Sequence, residues 1–432
     1  MYLIFKITRI NFFHLFAILL VTITTLFFTP QAEAVPAFAR QMGMNCTSCH
    51  FQNFPALNNF GRVFRAQGFT MAGTQKMIEG DDLSLPIVLN ASVITKLRYQ
   101  SSSSDSGGRG EIQWPDEAAL LVGGRVAEDV GFLMELGLGP QEGEGTAYDT
   151  GDTNQNGIQD LGETFTGSIT AVATDVTGNF LSTKFHFNLT DTIAVIPFST
   201  DGLGVGYGFE LLNTGVQRSQ RPIENRKGFS AGQVLGTASG GATGMAFVYH
   251  TNDWYINYSH WTPTWGNSQV NIFGGLANYL RLVYMPAIGS WDTGFGITSM
   301  SGSVKSGGTP ASEIFVDSWT IDAQAQGQVG TMPLGIYASY GAAPKSTATE
   351  ENFYNTSTVE DATAFGVVAK LGVIPGKMQV YLATASKTNG PTTNTTTIGL
   401  QYTMAENVKI ELYNVSSDSD DDYTMLMLFA GI

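Results

Sequence analysis

Val408-Lys409-Ile410-Glu411-Leu412-Tyr413 switches side-chain character at every residue, and that period of two decides the fold. Successive side chains of a strand point to opposite faces, so Val408, Ile410 and Leu412 form an apolar face while Lys409, Glu411 and Tyr413 form the other. Upstream, Phe132, Met134, Leu136 and Leu138 alternate with Leu133, Glu135 and Gly137, and Met378, Val380 and Leu382 with Lys377, Gln379 and Tyr381. Roughly sixteen to eighteen such segments follow one another, at roughly 22 residues per strand and connection. Tight connections (Thr251-Asn252-Asp253, Pro375-Gly376, Ala405-Glu406-Asn407) alternate with long ones rich in Gly, Ser, Thr and Asp. Short turns at one end and long loops at the other predict an all-β chain, an antiparallel outer-membrane barrel of about 16 strands with a polar lumen and a lipid-facing exterior. A pair of β-sandwich domains would also alternate, but residues 81–432 carry no linker or composition break. Tyr423 to Ile432 reads as the closing strand; it ends in Ile432 rather than an aromatic, so its insertion signal lies at Phe429 or is atypical.

The 432-residue chain holds 50 Gly, 15 Pro, 16 Tyr and 27 Phe, a balance that favours strands and turns over helices. Lys6 and Arg9 flank an apolar run from Phe12 to Phe28, which leads through Pro30 to the small-residue site Ala32-Glu33-Ala34. Residues 1–34 therefore read as a secretory signal cleaved after Ala34; the run is short for a membrane span, and no later stretch reaches the length of one. Cleavage lowers the basic count from 22 to 20 and the acidic count from 37 to 36, a formal net charge of −16. Such a surface repels nucleic acid and attracts cations.

Residues 35–80 are the helical part. Pro36 can open a helix that runs through Met42 and stops at Gly43. Cys46-Thr47-Ser48-Cys49-His50 follows, the C-x-x-C-H signature of c-type haem attachment. Two thiols at this spacing can form thioethers with the two haem vinyls, and the adjacent histidine becomes the axial ligand of the iron. The other reading of two close cysteines, a thioredoxin-like redox pair, calls for a βαβ setting that the flanks do not offer. These are the only cysteines, so the exported chain is not disulfide-stapled. Asn58 or Asn59 can cap a second helix with apolar positions Leu57, Phe60 and Phe64, which with Phe51 and Phe54 would wall a porphyrin. Arg62 and Arg65, three apart, are candidates for the haem propionates, or are simply solvated.

Val35-Pro36-Ala37-Phe38-Ala39-Arg40-Gln41 before the haem signature, then Phe54-Pro55-Ala56-Leu57, Phe60-Gly61-Arg62, Phe64 and Gly68-Phe69, resembles the fused outer-membrane cytochrome–porins of iron(II)-oxidising bacteria. The resemblance covers about residues 35–70; Met42 departs from it, standing where a small polar residue is expected. It implies outer-membrane location, one haem c, and oxidation of extracellular Fe(II) with electrons passed to a periplasmic c-type cytochrome or other carrier. A hydrocarbon core of ~30 Å is too thick for one haem to conduct across alone, and a wide barrel would hold that haem within the membrane's thickness. Two other functions keep the same parts: an outward conduit that reduces an external acceptor, and a passive porin with a haem-bearing plug. Porins often assemble as homotrimers, which is open to this chain too.

Two further motifs complete the reading. Asp152, Asn154, Asn156, Gly157, Asp160 and Glu163, with the Ile158 carbonyl, match a calcium loop, although the flanks are β-like and an acidic surface loop fits equally. For the distal position of the haem iron the candidates are Met71, just past Gly68-Phe69, and then His186. His186 shares the lumen face with Lys184 and Asn188, whereas His260 lies on the lipid face with Trp254, Ile256 and Tyr258.

Overall fold

The structure is a computed structural model and describes residues 37–81, 83–102, 111–138, 181–200, 202–215, 221–224, 228–237, 240–263, 275–305, 313–418 and 422–432. The signal segment 1–34 and the candidate calcium loop Asp152–Glu163 lie outside these. Sixteen long strands make up the wall. The first half comprises β1 Ala91–Ser102, β2 Glu111–Ala127, β3 Val130–Gly137, β4 Leu181–Thr190, β5 Ile193–Thr200, β6 Ala242–His250, β7 Trp254–Thr262 and β8 Ala277–Tyr284. The second comprises β9 Trp291–Ser301, β10 Ser318–Val329, β11 Met332–Ala343, β12 Ala362–Ile374, β13 Met378–Thr388, β14 Thr392–Ala405, β15 Val408–Ser417 and β16 Tyr423–Gly431. Each pairs antiparallel with its sequence neighbours, and β16 closes on β1, with Met427 opposite Arg98. Closure satisfies every wall strand's backbone on both sides, the condition for a sheet to stand in hydrocarbon. No helix among the described residues is long and apolar enough to cross a membrane.

The strand faces are sorted in the opposite sense to a soluble protein. Ile398 and Leu412 point outward, 64 % and 46 % exposed, while Lys370 and Arg281 point inward at 0 % and 1 %. Trp254 stacks on Tyr284 beside the turn at Thr251–Asp253, and Trp319 meets Tyr340 at the opposite end of the wall. An apolar band between two aromatic pairs is the outer surface of a transmembrane barrel. The protein is therefore an outer-membrane β-barrel, as the alternation predicts. One detail differs: Phe429 is buried and faces the lumen, so it is not a lipid-side aromatic.

The connections at 128–129, 191–192, 251–253, 285–290, 330–331, 375–377 and 406–407 are short and all lie at one end, which is the periplasmic end of such a barrel. The amino-terminal segment closes that end. Helix α1 Ala37–Met42 ends at Gly43, whose φ of 65° is left-handed; α2 Cys46–Cys49 and α3 Asn59–Ala66 follow. Leu57 stands before the Asn58 cap of α3, not on the helix, and bridges to His50. The segment's ties to the wall lie near short turns: Gln52 donates to the carbonyls of Pro333 and Lys370, Asn53 to Thr403, Arg62 to Asp292 at 2.6 Å, and Asn188 donates to Gln67. A hairpin of Met77–Gly80 with Leu83–Pro86 ends the segment, so the barrel wall begins at Ala91, later than residue 81. The long connection between β5 and β6 also folds inward, carrying α4 Ala231–Leu235, whose amide at Ala231 donates to Ser339 of β11.

Candidate haem site in the barrel lumen

Local sequence explains why α2 presents its cysteines. Asn45 accepts from the Ser48 hydroxyl at 2.8 Å, and Asn58 donates from its amide side chain to the Ser48 carbonyl at 2.9 Å. The Asn58 side chain also accepts from the Gly61 amide at 2.9 Å, as an N-cap should, so one residue ties α2 to α3. Gly61 is required for that approach, since a Cβ there would lie 2.1 Å from the Cys49 carbonyl oxygen. The Cys46 amide donates to Glu406 at 2.8 Å, which fixes α2 to the β14–β15 turn.

Cys46, Cys49 and His50 line one cavity of about 450 Å³ between the amino-terminal segment, the wall and the inward loop. The two thiols are free. Burial, helped by Glu406, pushes the Cys46 thiol up to about 11, and burial raises Cys49 as well. Half-buried, undissociated thiols exchange poorly, which does not suit a redox pair. His50 is pushed down to about 4 by burial, with Lys409 adding to the effect, so its ring is neutral and competent as a ligand. Its Nδ1 lies 3.2 Å from the Pro55 carbonyl, a contact that makes Nδ1 the protonated nitrogen and leaves Nε2 as the donor. Phe54 meets His50 edge-on at 5.5 Å and stacks on Phe429 at 5.3 Å, and Lys409 donates to the Phe54 carbonyl at 2.8 Å. Two free thiols, an oriented neutral imidazole and aromatic walls on one cavity fit a covalently attached haem. Those residues would hold it, and one-electron chemistry at iron is what it would supply.

The other sequence candidates are distributed unevenly. Arg65 lines this cavity; Arg62 lines a second one of about 240 Å³ and is bound to Asp292. Phe54 and Phe64 line the cavity of Cys46, Cys49 and His50, whereas Phe51 rests against Gly335 of the wall and Phe60 packs beside the cluster of Met42, Phe64 and Phe69. That cluster gives Met42, the departure from the family pattern, a packing reason. Met71 belongs to the same cluster. His186 faces the lumen as expected but lies under Gly68, where a Cβ would come within 2.5 Å of its ring. Neither Met71 nor His186 lines the cavity, and His50 is the one histidine among its described lining residues. Lys184, Lys409 and Glu406 are site residues that the motifs do not flag; only the alternation of their strands, or a tight turn, hints at them.

No known protein-family profile and no curated protein matches the sequence. Among solved structures, the outer-membrane expressed OmpT of Vibrio cholerae is 9 % identical, with a TM-score of 0.47 over 83 % of this chain and 100 % of that one. The outer-membrane protein opdK from Pseudomonas aeruginosa is 10 % identical, with a TM-score of 0.41 over 79 % and 98 %. OccAB4 of Acinetobacter baumannii is 10 % identical, with a TM-score of 0.41 over 79 % and 96 %. Placement in the outer membrane rests on the closed wall and its apolar band.

Proposed function

We propose that this barrel is an outer-membrane electron-transfer protein, an iron:cytochrome c oxidoreductase. It would carry one haem c, take electrons from extracellular Fe(II) and pass them to a periplasmic c-type cytochrome or other carrier. The observation that carries the reading is the meeting of Cys46, Cys49 and His50, with its Nδ1 held by Pro55, on one lumen cavity. Cys46 and Cys49 retain the group inside the wall. His50 presents Nε2. Phe54, Phe64 and Phe429 give the cavity apolar walls, and the ties to the short-turn end keep the site within reach of a periplasmic partner. The acidic balance of the chain favours a cationic donor. Iron as the donor comes from the sequence resemblance; an outward conduit would use the same geometry. A passive pore fits less well, because the two inward segments bury wall charges such as Lys370 and Arg281 completely.

Reconstitution in vesicles that enclose oxidised cytochrome c tests this. Fe(II) added outside should reduce the enclosed cytochrome, and His50→Ala or Cys49→Ala should abolish the reduction. Transport of electrons only from an enclosed reduced cytochrome to an external oxidant would select the outward conduit instead.

A further inference from the structure

Two cations on the wall of the haem cavity have no acid of their own among the described residues. Lys184 on β4 is 3 % exposed, donates to the Tyr207 carbonyl at 2.7 Å and stands 4.5 Å from the Tyr207 ring centroid. The charged group that acts on it is Arg65 of α3, of the same sign. The Nε of Arg65 is buried without a hydrogen-bond partner. Glu210, the carboxylate that Arg65 feels, is already engaged by Arg281 at 3.0 Å and by the amides of Leu211 and Leu212 at 2.9 Å. The neighbouring cations of the cavity differ: Lys96 pairs with Glu117 and Glu224, Arg98 with Asp116, and Arg221 with Glu224. Lys409, like Lys184, rests on a carbonyl and on aromatic rings, those of Phe54 and Phe429, but it has the carboxylates of Glu411 and Glu224 near it. A buried charge without a counterion is costly, and two of like sign in one cavity compound the cost. Such a pair is built for an anion.

We propose that Arg65 and Lys184 form a carboxylate clamp, and that the carboxylate is a propionate of the haem attached at Cys46 and Cys49. This rests on the haem reading above. Haem carries its thioether-forming vinyls and its propionates on different edges of the ring, so tether and clamp must occupy different arcs of one cavity. They do: Cys46 is fixed to the β14–β15 turn, and Lys184 projects from β4, five strands round the wall from β15. Arg62, the other candidate, is spent on Asp292 and lines the second cavity. Guanidinium and ammonium groups are the usual partners of a planar carboxylate, and for side chains as buried as Lys184 the pairing is strong.

The test compares Lys184→Met and Lys184→Arg in two backgrounds in detergent micelles: the haem-loaded chain, and a chain in which Cys46→Ser and Cys49→Ser prevent attachment. Lys184→Met should lower the unfolding midpoint of the loaded chain, because the propionate loses its partner. The same change should raise the midpoint of the haem-free chain, because an uncompensated charge is removed. The haem midpoint potential should fall in Lys184→Met and recover in Lys184→Arg, a readout that survives even if the cysteine-free chain does not fold. A stability change of the same sign in both backgrounds, with an unmoved potential, overturns the clamp. Stabilisation of the haem-free chain by acetate as large as that from haem attachment, again with an unmoved potential, assigns the site to a free carboxylate and overturns the propionate. A wild-type chain that shows no covalent haem on a denaturing gel overturns the haem reading itself, and the propionate assignment with it.

Discussion

Two segments enter one lumen and are held there by opposite chemistries. The amino-terminal segment is tied mostly by neutral amides: Gln52 to the carbonyls of Pro333 and Lys370, Asn53 to Thr403, and Asn188 of the wall to Gln67, with Arg62–Asp292 as its ion pair. The inward loop between β5 and β6 is tied by charge. Glu210 takes Arg281 and the Tyr255 hydroxyl, and Arg281 in turn pairs with Asp322 of β10. Neutral ties fail one at a time, each at about 1 kcal/mol. A buried charge cluster fails as a unit, because removing one member leaves the others unpaired.

The largest expected effect therefore lies in the loop. Arg281→Met should cost about 3–5 kcal/mol of barrel stability, measured as a shift in urea unfolding in micelles, since Glu210 and Asp322 are both left buried without it. A small change would mean that the loop is held by packing alone. Next comes pH. In a haem-free chain, His50 holds its proton at about 4 when folded and near the ordinary 6.5 when unfolded. Between those values the unfolded state binds the extra proton. Stability should thus be unaffected above pH 7 and fall by up to about 3 kcal/mol as pH drops toward 4. His50→Gln should remove this component from the pH titration, and haem attachment, which occupies Nε2, should remove it too.

Smaller effects are expected for the amino-terminal segment. Arg62→Met should cost about 2 kcal/mol, less than the loop variant because the Asp292 side chain keeps 29 % exposure and can rehydrate. Hydrogen exchange of the α3 amides should report it, and exchange that rises equally in the inward loop would blur the distinction between the two segments. Asn58→Ala should cost about 1 kcal/mol as a lost N-cap. Because Asn58 also ties α2 to α3, the same variant should loosen Cys46 and Cys49 toward alkylating reagents in the haem-free chain; unchanged labelling would show that Glu406 alone fixes α2.

The wall was legible in the sequence because it has a strict spacing, and so was the grouping of Cys46, Cys49 and His50. Lys409-Ile410-Glu411-Leu412 states which face meets lipid, and Cys46-x-x-Cys49-His50 marks three neighbours that share one cavity, without reference to anything distant. The inward loop was not legible: residues 202–237 have no period, and their partners Arg281, Asp322 and Ser339 come from strands far along the chain. The propionate and distal assignments failed to resolve for the same reason. Arg62 and Arg65 look alike on α3, and only the wall decides that Asp292 takes one while the cavity receives the other. Met71 and His186 are plausible by position, yet packing against Phe64 and beneath Gly68 holds them elsewhere.

Mixing the purified, haem-loaded barrel anaerobically with Fe(II) while its visible spectrum is followed tests the central claim most directly. The ferric spectrum should give way to the ferrous one at a rate that rises with Fe(II) concentration. Haem that stays ferric under excess Fe(II), yet is promptly reduced by dithionite or a small quinol, would contradict it and make the outward-running conduit the better account.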